Sequence, residues 1–186
     1  MTSLLLLLSL ALSAAEAAPA RPLTAAERAA AVAPLGRDFS AEAAQSFRAT
    51  LAPLGEVDVL AGDQGGGPAV AVLRGDRVLQ RIPIDPTPGR VTWGGILGVM
   101  FVDLDKDGAD DILAMADVCS GMDCQNNAYV SVLALIQRQG SFLPARAWAA
   151  AIPYDVVKAG LGSVRSYAKA RPARLEPDEQ GKGPAR

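Results

Sequence analysis

The chain has 186 residues, a formal net charge of −2, and a composition that is half hydrophobic but only 5% aromatic. That length suits one domain with a real core. The near-neutral charge gives no general attraction to nucleic acid or to an anionic membrane. Histidine is absent, which excludes Ser-His-Asp and Cys-His catalysis, histidine-ligated zinc and a histidine pH switch. Metal chemistry is left to Asp and Glu oxygens and two cysteines, and hard oxygen ligands favour calcium, magnesium or manganese.

The amino terminus reads as a secretion signal. Leu4 to Leu12 form an apolar block too short to span a bilayer, followed by small residues and an A-x-A site at Ala15-Glu16-Ala17. Cleavage is expected after Ala17, with Ala20 as the second choice. The reading is therefore an exported protein, periplasmic or extracellular, with no integral membrane segment in the mature chain. An oxidising compartment also suits Cys119 and Cys124, whose spacing lets a turn bring them within bridging distance. The expected bond is a small structural disulfide.

Residues 18–55 read as a helical region. Thr24 and Glu27 form a capping box ahead of a helix over Ala25 to Val32. A second helix is predicted from Ser40 towards Leu51, because Phe39, Ala43, Phe47 and Leu51 recur at fours. From Glu56 the pattern turns to strands: Val57 to Leu60, then a hairpin of Ala69–Leu73 and Val78–Ile82 around Arg74-Gly75-Asp76-Arg77. Gly75-Asp76 is normal hairpin-turn chemistry, so no adhesive role is assigned to the tripeptide. Further strands are expected at Val91–Trp93, Ile96–Val102, Asp111–Ala116, Tyr129–Gln137 and Phe142–Trp148. A last helix should run from Asp155 to about Ala170, with Val156, Val157, Leu161, Val164 and Tyr167 on its apolar face. Residues 172–186 are rich in Pro, Gly and charge and read as a disordered tail. The fold class expected is α+β: one antiparallel sheet of about five to seven strands, amino-terminal helices and a carboxy-terminal helix, with the sheet domain over 56–171.

The strongest local chemistry lies between two of the predicted strands. Asp103, Asp105 and Asp107 alternate, Gly108 allows a tight turn, and Asp111 follows. With the Ala109 carbonyl and water, this spacing offers calcium five or more of the hard oxygens it needs. Without a cation, the carboxylates would repel one another. An EF-hand is ruled out because the twelfth position, where a bidentate Glu belongs, is Ala114, and because both flanks read as strands.

D-x-D-x-D-G-x-x-D between apolar strands resembles the calcium loop of FG-GAP/VCBS-type repeats of integrin-like propellers and many exported bacterial proteins. The resemblance covers about Gly95 to Leu135 and is a single copy, so it does not imply a propeller. It implies one Ca²⁺ held by Asp103, Asp105, Asp107, the Ala109 carbonyl and Asp111, with Asp110 outside the coordination sphere. Residues 56–93 are a conceivable degenerate second unit. Gly65-Gly66-Gly67 lacks the ending of a phosphate loop, and Ser120 has no base partner in a histidine-free chain. Two roles follow. The first is a noncatalytic binding or structural module, with a protein or glycan partner and no nucleic acid. The alternative is a calcium-stabilised secreted hydrolase with its acids in a cleft elsewhere.

Overall fold

The computed structural model describes residues 20–85, 91–120 and 128–176. The expected leader, the cleavage site, Cys124 and the end of the tail lie outside the described residues. Among the described residues nine strands form two antiparallel sheets with four short helices, so the expected α+β class holds only coarsely: the structure is mainly β, and its strands divide between two sheets rather than one. In the first sheet β1 (Arg21–Pro22), β2 (Phe39–Leu51), β3 (Gly55–Gln64), β4 (Gly67–Arg74) and β5 (Arg77–Pro83) lie in chain order. In the second, β6 (Val91–Val102), β7 (Asp111–Ser120), β8 (Ala128–Arg138) and β9 (Ser141–Pro144) do the same. Each sheet is a meander, its strands pairing antiparallel with their neighbours in chain order.

The sheets share an inner core that includes Val59, Val72, Ile112, Leu135 and Phe142. Helix α1 (Ala25–Val32) and a 3-10 turn (Ala33–Leu35) border the outer face of the first sheet, where Leu35, Leu60 and Leu73 cluster. Helices α2 (Arg146–Ala150), α3 (Tyr154–Lys158) and α4 (Leu161–Ala170) cover the second sheet, through Leu113, Met115, Ile136, Val157 and Val164. Because β7 is buried on both faces, Ile112 to Ala116 is an uninterrupted apolar run rather than an alternating one.

The predicted capping box is present: Thr24 accepts from the Glu27 amide and Glu27 accepts from the Thr24 amide. The Glu27 carboxylate also pairs with Arg21 and Arg48, and Arg48 grips the buried Asp58 through two bonds of 2.8 and 3.1 Å. These ion pairs tie β1 and α1 to β2 and β3.

Five further expectations are corrected. The second amino-terminal helix is strand β2, because a residue four places on returns to the same face in a strand as nearly as it does in a helix. Pairing with β3 along its length decides the matter. The strand expected over Phe142–Trp148 stops at Pro144, and Trp148 lies in α2. The carboxy-terminal helix is two helices broken at Gly160 (φ 92°), although its predicted apolar face does pack on the second sheet. Within the supposed tail, Ala173 is buried and its amide donates to the Leu104 oxygen at 2.8 Å. Val91–Trp93 and Ile96–Val102 belong to one strand, β6, with two bulges.

Candidate metal centre

The loop between β6 and β7 is shaped by its own carboxylates. Asp103 accepts the Lys106 amide at 2.7 Å and the Asp107 amide at 3.2 Å on one oxygen, and the Gly108 amide at 3.0 Å on the other. Asp105 and Asp107 accept the Asp107 and Ala109 amides at 3.3 and 2.9 Å. The backbone turns through the left-handed region at Lys106 (φ 65°) and Gly108 (φ 89°), the second as the turn requires. A side chain at Lys106 tolerates that conformation at a cost of about 1 kcal/mol.

Asp111 is the anchor. It is fully buried, and its two oxygens accept the Leu104 and Gln137 amides, each at 2.8 Å. Those contacts bind the start of the loop and the end of β8 to one carboxylate. Burial pushes the Asp111 pKa up to about 7, against the pull of the two amides, and the charges of Asp105 and Asp107 push the same way.

Asp103, Asp105 and Asp111 each offer an oxygen within 4.8 Å of the other two. Two ligands of one calcium, each about 2.3–2.6 Å from it, stand at most about 5.2 Å apart. The three carboxylates could therefore hold a shared ion. Asp107 stands outside this group. It is more exposed, and with Asp105 it receives the guanidinium of Arg138 at the end of β8. Arg138 supplies positive charge to the acidic loop from 31 and 33 residues away. Nothing in the loop's spacing announces it, because only the β7–β8 register brings it there. Asp110 and Ala109 are half-buried at the close of the loop. Cys119 is buried in β7 and is not free, while its expected partner Cys124 lies outside the described residues.

Gln137 precedes Arg138, and the alternation along β8 turns its side chain to the inner face with Leu133 and Leu135. Both polar atoms of its carboxamide are buried, with no hydrogen-bond partner among the described residues. Gln137→Met keeps the shape and removes an unpaired polar group, so it should raise stability by about 1 kcal/mol in a urea melt. A loss of stability would mean that the carboxamide holds a buried water.

The class defined by the fold and the loop is a two-sheet antiparallel sandwich with an acidic loop, able to hold a metal ion, at a strand–loop–strand corner. Comparison with family models, curated proteins and solved structures finds no match. No described helix is long and apolar enough to cross a membrane.

Proposed function

We propose that this is an exported, noncatalytic binding module braced by one calcium ion in the 103–111 loop. The observation that carries the reading is the approach of the Asp103, Asp105 and Asp111 carboxylates to within 4.8 Å of one another. Carboxylates so close repel one another when ionised, which favours a bound cation, and Arg138 supplies only part of that charge from one side. The ion would cancel the repulsion, hold β6 and β7 at their corner and couple its binding to folding. The acids gather at the loop, tied to backbone amides and a guanidinium. A hydrolase would instead need two carboxylates opposed across a cleft, so the binding role takes precedence. Export rests on the leader and its A-x-A site.

The test is thermal melting of the chain from Ala18 onward in EDTA, then with calcium or magnesium. At a hundredfold excess over Kd, calcium should stabilise by about 2.7 kcal/mol, or about 5–10 °C, beyond what magnesium gives. Asp105→Ala should abolish that increment while changing the melt in EDTA little, because the substitution removes repulsion together with the Arg138 pair. Asp103 is a poorer probe, since three loop amides depend on it. A melt that millimolar calcium leaves unmoved would reduce the loop to a solvated turn.

A further inference from the structure

We propose that the edge of β8 at Val130 and Val132, which no described strand covers, takes up an extended peptide segment as an added strand. This deepens the binding-module reading by naming a class of partner. Strand β8 pairs with β7 along Ala128 to Leu135, but β9 covers its other side only from Leu135 to Arg138. The two-residue turn at Gln139 and Gly140 makes Arg138 and Ser141 a bonded pair, so Arg138, Ile136 and Ala134 turn their backbone groups towards β9. The Ala145 amide keeps that step by donating to the Ala134 oxygen at 2.9 Å. By strand alternation Val132 and Val130 turn theirs the same way, where β9 has ended and the chain has departed into α2.

The other margins of this sheet are closed. On the free side of β6, the Ile96 amide donates to Glu42 at 2.9 Å and the Val99 amide to Gln45 at 3.1 Å. On the free side of β9, the Gln80 carboxamide meets both backbone groups of Phe142, at 2.6 and 3.0 Å. Such side-chain caps keep an edge from pairing with another strand. Among the described residues, no cap meets the backbone of Val130 or Val132.

A cleft of about 390 Å³ lies along this uncapped stretch, in line with the path β9 abandons. The side of Val130 and Val132 is largely apolar, with Ile152 and Val157, Arg146 of α2 also lines the cleft, and Tyr154 stands exposed beside it. On the other side Asp85 accepts the Tyr129 hydroxyl at 2.5 Å and Ser131 bonds to the Ile84 oxygen. Alternating donors and acceptors at strand spacing are the chemistry of another peptide backbone. The two walls select its side chains: apolar over Val130 and Val132, polar or basic towards Asp85.

Amide hydrogen exchange by NMR on the chain from Ala18, in EDTA, tests this independently of calcium. In the free protein the Val130 and Val132 amides should exchange fast, while Ser131 and Leu133, bonded to β7, exchange slowly. Capped pentapeptides alternating valine or leucine with threonine or lysine should slow the two fast amides about tenfold or more at millimolar concentration. N-methylation of the peptide amides that face β8 should abolish the effect, and methylation of the intervening amides should not. Slow exchange in the free protein would overturn the proposal, since the edge would already be covered by this chain. Protection that grows with protein concentration alone would overturn it in favour of a second copy. Absence of protection with every peptide, or equal loss from both methylated forms, would also overturn it.

Discussion

Asp111→Asn should lower stability by about 2–4 kcal/mol at pH 5, in EDTA as well as in calcium. The carboxamide can accept only one of the two amides that Asp111 now accepts, and its NH₂ would face the other donor. This separates Asp111 from Asp105, whose loss should be felt mainly when calcium is present. The pH dependence carries a definite sign. The folded-state pKa of Asp111 is about 7 against an ordinary value of 3.8. Between those values the folded protein keeps a proton that the unfolded chain releases. The contribution of this group is therefore fully present below pH 3.8 and lost as pH rises through about 7. In EDTA the wild type should therefore lead Asp111→Asn most at pH 5, where its own carboxyl is neutral, and lose that lead as pH rises through about 7 towards 8. Urea melts of both proteins at pH 5 and 8 decide it. A penalty that stays constant with pH would show that Asp111 remains ionised throughout.

Gly62→Ala should be the other severe change, costing about 3 kcal/mol or preventing folding. A Cβ at Gly62 would stand 2.0 Å from the Ser40 carbonyl oxygen and 2.8 Å from the Ala41 Cα. Both obstacles are backbone, so no side chain can swing away. The tight approach occurs where β2 bulges between Ala41 and Ser46, and the buried Ser46 hydroxyl closes the bulge by donating to the Glu42 oxygen at 2.6 Å. Glu42 and Gln45 lie within that bulge, and they cap β6. Gly67→Ala is the matched control: a Cβ there has open space, and the change should stay within about 0.5 kcal/mol. Guanidinium melts of the two variants would compare them directly, and equal effects would show that β2 can slide away from Gly62.

Much of the architecture was legible where the responsible chemistry is local. Thr24 and Glu27 marked a helix start because both partners lie within one turn. Gly75 and Asp76 marked the hairpin of β4 and β5 because a tight turn asks for such residues. The apolar run from Ile112 to Ala116 marked a strand buried on both faces. The alternation of Asp103, Asp105 and Asp107 ahead of Gly108 likewise located the loop, its turn and its acidic character. β2 was misread as a helix for the opposite reason: a recurrence of four fits either period, and its pairing partner is not part of the local pattern.

Only the tertiary structure sorted the acids into roles. Asp111 is held by an amide from β8 and Asp107 is turned towards Arg138, contacts that span 26 and 31 residues. The burial of Ala173 under Leu104 and the capping of β6 by Glu42 and Gln45 depend on longer separations still. Residue type and close spacing set what a short segment prefers, since few dihedrals must be fixed to satisfy it. Distant pairings form only after the entropy of closing long loops has been offset by the common core. By itself the sequence therefore determined a helix cap, most strands and an acidic turn. The packing of two sheets decided which carboxylates converge, which one anchors the loop and, among the described residues, which stretch of strand edge has no partner strand.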